Sequence, residues 1–296
     1  MKEITFVSGK GGVGKTTITA SFALLLNNLQ KKILAVDADA DAPNLRLILS
    51  NKEISRAYIK ATEKAVINYE KCTSCGICID HCPEGAIIKS PNDNKIKIIP
   101  VFCEGCGVCN VACPEKAIDM MPYETGYYVH AITEHGFPIV TGHLKLGESG
   151  SGKFVYELRN KARSLAKEYN TEYILIDGPP GSSCTAIAAI TGVNFVVLIT
   201  EPTPASISDL KRIYKIVKHF RIPHALIINK ADLSEKYRKY LYEFAENEKI
   251  KILGEIPLDK NIPKAIAHAK TIIEFSPDAN ASKAIKDIFY RFSKII

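Results

Sequence analysis

GKGGVGKTT, residues 9–17, is a glycine-rich loop that fits the pattern G-x-x-x-x-G-K-[ST]. It follows a strand-like run at residues 2–8 and begins a helix-patterned stretch at residues 15–30. Glycines let backbone N–H groups turn inward around phosphate, and a helix N-terminus adds positive potential. We therefore predict an ATP and Mg²⁺ site in which Lys15 contacts the β- and γ-phosphates and Thr16 contacts the metal. The expected cofactor-binding residues of the loop are Gly9, Lys10, Gly11, Gly12, Val13, Gly14, Lys15, Thr16 and Thr17.

Strand-like and helix-like segments alternate on both sides of a central insert. Continuous apolar runs separated by helical stretches are typical of a parallel sheet with helices on both faces. Predicted strands lie at residues 32–37, 173–177, 194–200, 222–229 and 251–256, and predicted helices at 205–220 and 234–248. The expected fold class is therefore α/β, a P-loop NTPase fold with a mostly parallel sheet.

Three acids, Asp37, Asp39 and Asp41, alternate after the predicted strand at residues 32–37. Carboxylates at a strand end beside a phosphate loop can orient water or hold Mg²⁺ through water. Part of this cluster can equally serve solvation, and Asp41 is a candidate for the magnesium shell.

Asp177 ends the apolar run YILID and precedes Gly178-Pro179-Pro180-Gly181. Ligands bind at the carboxyl ends of strands in open α/β sheets, so Asp177 and Gly181 are expected at the nucleotide. The segment 178–181 can change conformation when a γ-phosphate is present or lost.

Cysteine is concentrated in the middle of the chain, where eight of the nine lie between Cys72 and Cys113. Such clustering indicates metal ligation before it indicates disulfides. The spacing C-x₂-C-x₂-C-x₃-C-P occurs twice, 31 residues apart, and is the bacterial ferredoxin pattern, in which the fourth cysteine of each run ligates the other cluster. We assign one [4Fe–4S] cluster to Cys72, Cys75, Cys78 and Cys113, and the other to Cys103, Cys106, Cys109 and Cys82.

Two zinc sites are the alternative for these cysteines, since zinc also binds four thiolates. Clusters with all four positions filled by protein suit electron transfer rather than delivery of a cluster to another protein. The insert, which carries strand-like pieces at residues 65–69 and 96–101, is expected to be a small α+β ferredoxin-like domain. The predicted domains are 1–65 (ATPase, first part), 66–122 (insert) and 123–296 (ATPase, second part).

Three further features leave alternatives open. GESGSGK, residues 147–153, resembles a second phosphate loop, but Phe154 stands where a Ser or Thr is needed and no clean strand precedes it, so we expect a loop at a helix start. Cys184 is either a small buried residue at a helix start or a metal or thiol group shared across a dimer. The C-terminal apolar stripe either packs on the sheet or contacts a membrane; it comprises Ile285, Ile288, Phe289 and Phe292.

The loop, with its early lysine Lys10, resembles the deviant P-loop of the MinD/ParA, Mrp and nitrogenase-iron-protein superfamily, here with an inserted two-cluster ferredoxin domain. The resemblance implies an ATP-dependent homodimer in which Lys10 reaches the partner's nucleotide. It also implies that an Asp of this segment orients the attacking water, with Asp39 as the first candidate and Asp37 as the second. It further implies that Asn229 recognises adenine, the alternative for Asn229 being a capping or turn role. The segment after Asp177 resembles switch II, the nucleotide-sensitive loop of this superfamily, and Cys184 resembles the cluster-binding cysteine that follows it in the nitrogenase iron protein. The second cysteine ligand of that pattern has no counterpart in this sequence.

The function expected from these features is an ATPase that couples a nucleotide-driven dimer rearrangement to electron transfer through two [4Fe–4S] clusters, for example as the reductase component of a larger system. One alternative is an ATP-dependent cluster or metal assembly factor, and another is a nucleotide-gated docking adaptor. The composition, 46% apolar and 24% charged with a net charge of +7, is that of an ordinary globular protein. With no basic block, apolar span or signal peptide, we expect no nucleic-acid or membrane partner, a cytoplasmic location and an unidentified redox or client protein.

Overall fold

The computed structural model describes residues 1–148 and 150–296. The chain forms two compact units. Unit 1 comprises Met1–Ala57, Tyr128–His143 and Gly150–Ile296, and unit 2 comprises Tyr58–Tyr127 and Leu144–Ser149. Unit 2 contains the whole of the insert predicted at residues 66–122 and extends beyond it at both ends.

The elements are numbered in chain order. The strands are β1 (Lys2–Ser8), β2 (Ile33–Asp37), β3 (Asn51–Ile59), β4 (Thr62–Ile67), β5 (Ile87–Lys89), β6 (Ile96–Ile98), β7 (Ile118–Tyr123), β8 (Gly126–Thr133), β9 (Pro138–Leu144), β10 (Tyr173–Asp177), β11 (Phe195–Thr200), β12 (His224–Asn229) and β13 (Lys251–Ile256). The helices are α1 (Lys15–Asn28), α2 (Leu45–Ile48), α3 (Ile77–Asp80), α4 (Val108–Ala112), α5 (Gly152–Glu168), α6 (Cys184–Ile190), α7 (Pro204–His219), α8 (Glu235–Asn247), α9 (Asn261–Ala267), α10 (Ile272–Phe275) and α11 (Asn280–Ser293).

A nine-stranded sheet runs in the order β13-β12-β11-β1-β10-β2-β9-β8-β3. Every neighbouring pair from β13 to β9 is parallel. The strands from β1 to β2 and from β10 to β12 are almost entirely buried, which explains their continuous apolar sequences. The α/β fold class with a mostly parallel sheet is confirmed, and its predicted strands agree with the structure to within two residues.

The register of this sheet brings the predicted site residues together. Asp177 at the end of β10 pairs in register with Asp37 on β2, and on its other side with Phe6 on β1. Two residues beyond Phe6, Ser8 ends β1 and leads into the glycine loop. The carboxyl ends of the central strands therefore form one edge that carries the loop and the acids.

The C-terminal helix α11 is part of the core of unit 1. Phe292 packs against Phe22 of α1 with ring centroids 5.2 Å apart, and Phe289 lies 5.4 Å from the same ring. The whole predicted apolar stripe of α11 is buried. The packing alternative for this stripe is therefore correct. Among the described residues, the structure contains no helix that is both long and apolar enough to cross a membrane.

Unit 2 is built from two small antiparallel pairs, β4 with β7 and β5 with β6. A small core joins them, in which Ile87, Ile96 and Ile118 pack with the buried cysteines Cys78 and Cys109. The predicted strand at residues 96–101 ends early, at Ile98, because Pro100 begins a 3₁₀ turn and cannot donate a ladder hydrogen bond.

Five strands, β3, β5, β7, β8 and β9, are absent from the sequence predictions. One of them corrects an expectation about GESGSGK, because β9 does precede this segment. The expected helix start is present: α5 begins at Gly152, and the Ser151 hydroxyl accepts a hydrogen bond from the N–H of Phe154. Phe154, which stands where a phosphate loop would have Ser or Thr, is fully buried and is a core residue. Ser149 lies outside the described residues.

Candidate functional site

The glycine loop turns tightly between β1 and α1. Gly14 caps the helix in the left-handed region at φ 92°, and Gly12 has φ 79°. A Cβ atom on Gly14 would lie 2.2 Å from the side-chain nitrogen of Asn229, so a larger residue does not fit. Gly9 is equally restricted, since a Cβ there would lie 2.2 Å from the backbone of Asp209. The loop conformation therefore depends on these glycines.

Two side chains at the end of β12 hold the outside of the loop. Asn229 Nδ2 donates to the Val13 carbonyl at 2.7 Å, and Lys230 Nζ donates to the Gly12 carbonyl at 2.9 Å. With its carbonyls held in this way, the loop has its N–H groups available for an anion. The amide oxygen of Asn229 is buried and finds no hydrogen-bond partner among the described residues.

Asp177 is the central acceptor of the site. Lys15 Nζ donates to it at 2.9 Å, the Thr16 hydroxyl at 2.7 Å and the Thr19 hydroxyl at 3.2 Å. Burial lowers the pKa of Lys15, but the carboxylates of Asp177, Asp39 and Asp37 more than offset this, and the pKa is raised. Lys15 is therefore a fixed cation at the start of α1.

The three alternating acids occupy different environments. Asp37 is fully buried, and its oxygens accept hydrogen bonds from the N–H groups of Leu45 (2.8 Å) and Asp39 (3.3 Å). Burial and the neighbouring charge of Asp177 raise the pKa of Asp37 well above its usual value. Asp39 lies 3.9 Å from Lys15, and burial raises its pKa to about 6 although Lys15 opposes this. Asp37 thus holds the loop after β2, whereas Asp39 lines the cavity beside the glycine loop.

A cavity of about 1450 Å³ lies in front of the loop. The predicted residues that line it are Gly11, Gly12, Gly14, Lys15, Thr16, Thr17, Asp39 and Asp41. Pro179 and Pro180 of the segment after β10 also line it, together with Ser183 and Thr185 at the start of α6. Lys10, Asp37 and Gly181 are not among its lining residues.

A second, more apolar cavity of about 620 Å³ adjoins the loop at Gly12 and Gly14. Asn229 and Lys230 border it, and Leu258 and Ile262 are among its apolar walls. Its walls are mostly apolar, and the Asn229 amide is a polar group at its border. The segment after β13 was not predicted to contribute to the site, because its residues share no motif.

Glu201 is another residue that the sequence analysis missed. It follows β11, is 7% exposed, and accepts a hydrogen bond from Lys230 at 2.8 Å. Lys10, which is exposed, lies 3.8 Å from the same carboxylate. The rule that selected Asp177, an acid at the carboxyl end of a buried strand, also applies to Glu201.

In unit 2 the cysteines line two cavities. One, of about 350 Å³, is lined by Cys82 together with Cys103, Cys106 and Cys109. The other, of about 340 Å³, is lined by Cys113 together with Cys72, Cys75 and Cys78. Each cavity thus receives three cysteines from one run and the fourth from the other run, which is the grouping assigned above from spacing.

Across the described chain, the cysteines of each cavity do not converge on one point. All nine cysteines are free thiols in the described structure. A tetrahedral zinc site needs its sulfurs about 3.8 Å apart, given a Zn–S distance of about 2.3 Å. Within residues 1–148 and 150–296, no three Cys, His, Asp or Glu side chains converge in this way. Four thiols therefore line each cavity without converging on a single ion.

The two cavities share a local design. The N–H of Ala86 donates to Cys82 Sγ at 3.3 Å, and the N–H of Ala117 donates to Cys113 Sγ at 3.3 Å. Such N–H···S bonds stabilise negative charge on sulfur, and they tune the potential of a bound cluster. Cys82 and Cys113, each of which lines the cavity of the other run, therefore accept the same kind of backbone hydrogen bond.

Cys184 is the first residue of α6, as expected, but it is exposed. The expectation of a small buried residue is wrong. The apolar face of this short helix is formed by Ala186, Ala189 and Ile190, and the first position points away from that face.

Known proteins similar to this chain include nucleotide-binding proteins, as its glycine loop predicts. Residues 4–272 match the family described as the CobQ/CobB/MinD/ParA nucleotide binding domain. The chain is 35% identical over 294 residues to an uncharacterized protein of Methanocaldococcus jannaschii, covering 99% of this chain and 97% of that protein. It is 24% identical over 294 residues to an iron–sulfur cluster carrier protein of the same organism, covering 92% and 81%.

Among solved structures, the septum site-determining protein MinD of Pyrococcus horikoshii, complexed with Mg-ADP, is similar with a TM-score of 0.61. The sequence identity is 19%, and the match covers 99% of this chain and 96% of that one. At this identity the likeness shows the fold alone, whereas the family match spans most of the chain. With its phosphate loop and parallel sheet, the chain belongs to the CobQ/CobB/MinD/ParA nucleotide-binding family.

Proposed function

We propose that this protein is an ATP-hydrolysing iron–sulfur protein in which a nucleotide-driven rearrangement of a homodimer controls electron transfer through two [4Fe–4S] clusters. Membership of the MinD/ParA type of P-loop ATPases supports the nucleotide part. The observation that carries the rest is the pair of four-cysteine cavities in unit 2. Bound clusters would supply one-electron redox chemistry.

The nucleotide chemistry is assigned to the edge of the sheet in unit 1. Lys15 exchanges Asp177 for the phosphates, and the Thr16 hydroxyl, now 2.7 Å from Asp177, turns to Mg²⁺. Asp39 lines the cavity and is placed to orient the attacking water. Asn229, with its buried and unpaired amide oxygen, is assigned to the adenine.

Dimerisation is proposed on the basis of Lys10. This lysine is not among the residues lining the cavity of its own chain, and its side chain is 46% exposed. An exposed lysine on a phosphate loop, with only a 3.8 Å contact to Glu201, can turn to the phosphates of a second copy. Loss of the γ-phosphate then releases the segment 178–181, which includes the cavity-lining Pro179 and Pro180.

Electron transfer is favoured by the way the cavities are closed. Each has four cysteines, and each fourth cysteine comes from the other run. Releasing a cluster would break ligands in both runs, whereas transfer of an electron breaks none. The partner is an unidentified redox protein.

The test compares nucleotide states. Anaerobically purified protein is assayed for iron and sulfide, reduced, and mixed with a one-electron acceptor dye in MgATP, MgADP or no nucleotide. We expect electron delivery to be at least about fivefold faster with MgATP. Asp39→Asn, which should bind ATP without hydrolysing it, is expected to lose this stimulation. Equal rates in all three states, in protein that holds iron and hydrolyses ATP, would falsify the coupling.

A second candidate, a carrier or assembly factor for clusters, is favoured by the similarity to an iron–sulfur cluster carrier protein. It predicts movement of iron. Protein loaded with ⁵⁵Fe is mixed with an apo-ferredoxin recipient, and both are separated and counted after ATP turnover. ATP-dependent appearance of label in the recipient selects the carrier; label that stays with this chain selects electron transfer.

A further inference from the structure

Three lysines surround the phosphate loop, and each is paired with a carboxylate of the same chain. Lys15 lies 2.9 Å from Asp177, and Lys230 lies 2.8 Å from Glu201. Lys10 lies 3.8 Å from the other oxygen of Glu201. The positive charge that would attract phosphate is thus largely neutralised from within.

Glu201 differs from Asp177 in its contacts. Asp177 accepts hydrogen bonds from Lys15, Thr16 and Thr19, whereas the contacts of Glu201 with the phosphate-loop region are to the lysines Lys10 and Lys230. Its side chain is 9% exposed, and its Oε1 atom accepts a long hydrogen bond from the Ser206 hydroxyl at 3.4 Å. A carboxylate buried to this extent needs charged partners. Lys230 is the stronger partner, and Lys10 is at the limit of an ion pair.

We propose that Glu201 is an internal counter-ion that competes with the phosphates of a bound nucleotide for Lys10 and Lys230, and so limits how tightly the site holds highly charged nucleotides. The inference rests on the proposed nucleotide site and deepens it, since it concerns which nucleotides that site retains. Neutralising a lysine costs a bound anion more affinity the more charge that anion carries. Glu201 therefore weakens the binding of nucleoside triphosphates most, that of diphosphates less and that of monophosphates least.

The two lysines have different freedom to exchange. Lys230 also donates to the Gly12 carbonyl at 2.9 Å, so it stays on the loop when phosphate arrives. Lys10 has the longer contact and the exposed side chain, so it leaves Glu201 first. Because attraction between charges scales with charge, the terminal phosphates of a triphosphate favour this exchange more than a single phosphate does.

The loop itself does not depend on Glu201. Its carbonyls are held by Lys230 and by Asn229, which donates to Val13. Glu201→Gln removes the charge but leaves an amide oxygen that can accept from Lys230. The variant therefore tests the charge and not the shape of the loop.

The experiment measures dissociation constants of AMP, ADP and a non-hydrolysable ATP analogue by calorimetry for wild type and Glu201→Gln. We expect the affinity for the ATP analogue to rise about 5- to 20-fold, that for ADP to rise less, and that for AMP to change less than twofold. Glu172→Gln is the matched control. Its carboxylate pairs with Lys31 at 3.2 Å on the surface, away from the loop, and all three affinities should stay within twofold.

An unchanged or weaker affinity for the ATP analogue in Glu201→Gln overturns the proposal, as does an equal gain for AMP. In a Lys10→Met background the gain should shrink, because one of the two contested cations is gone. If Glu201→Gln does not fold, Glu201→Ala and Glu201→Ser carry the same expectation. Failure of the wild type to bind any adenine nucleotide would instead refute the proposed function.

Discussion

Asp37 and Asp177 lie side by side in register on β2 and β10, and both are fully buried. Two adjacent carboxylates in a buried setting cannot both keep a charge without compensation. Lys15 compensates Asp177, and the backbone N–H groups of Leu45 and Asp39 hold Asp37. The two acids therefore have different roles: Asp177 binds Lys15 of the phosphate loop, and Asp37 holds the backbone of the segment that carries Asp39.

Asp37 is expected to matter for stability. Asp37→Ala leaves two buried N–H groups without their acceptor, which should lower the free energy of unfolding by about 1–3 kcal/mol. Asp41→Ala is the control, because Asp41 is exposed, and its effect should stay within about 0.5 kcal/mol. Urea denaturation measures both; equal values would mean that Asp37 does not hold the segment after β2.

Asp39 is expected to give ATP turnover a pH dependence. Its pKa is raised to about 6, and only the charged carboxylate can orient water as an acceptor. Turnover should therefore fall as the pH drops through about 6 and be level above it. Asp39→Asn should be slower by about 10²-fold or more and should lack this limb. A wild-type profile that is flat between pH 5 and 7 contradicts the assignment.

Gly14 is expected to tolerate no side chain. Gly14→Ala adds the strain of a positive φ, about 1–2 kcal/mol, and forces Asn229 off the Val13 carbonyl. Gly192→Ala is a matched control, since Gly192 has φ 73° but open space around its Cβ position. Thermal unfolding should show a larger loss for Gly14→Ala, and only this variant should also lose nucleotide binding.

The exchange of fourth cysteines can be tested with two double variants. In the proposed grouping, Cys75→Ser with Cys113→Ser damages a single cavity, so about four irons should remain per chain. Cys75→Ser with Cys82→Ser damages both cavities and should deplete both. The reverse pattern, with iron retained only in the second double variant, would assign each run to its own cluster.

The aromatic contact between Phe292 and Phe22 makes α11 part of the fold. Phe292→Ala should lower the free energy of unfolding by about 3–5 kcal/mol, because the side chain is fully buried. Tyr290→Ala, two residues away and 61% exposed, should cost less than about 0.5 kcal/mol. Chemical denaturation compares them.

Local patterns predicted the central sheet because its strands are buried on both faces and read as continuous apolar runs. β3 escaped prediction for the opposite reason: most of its residues are exposed, so its sequence lacks an apolar signature. The loop residues were predictable because phosphate chemistry fixes their types and spacing. Glu201 and Leu258 were not, because their positions at the site follow from the sheet order and from how the chain returns after β13.

Cys184 shows another limit. A cysteine at a helix start is usually buried, but burial depends on which side of α6 meets the sheet, and one position does not reveal that. Glu201 and Asp177 both lie at the carboxyl ends of buried strands, and only their contacts distinguish the acid that binds Lys15 from the one that binds Lys230.

The two cysteine runs enclose their cavities, or chambers, only jointly, since each run contributes one of the four cysteines that line the chamber of the other. A peptide with a single run would enclose neither chamber completely. Two such peptides, associated face to face, would complete both. The 31-residue duplication thus has the layout of an ancient symmetric pair fused into one polypeptide, and neither half could afterwards be lost without opening both chambers.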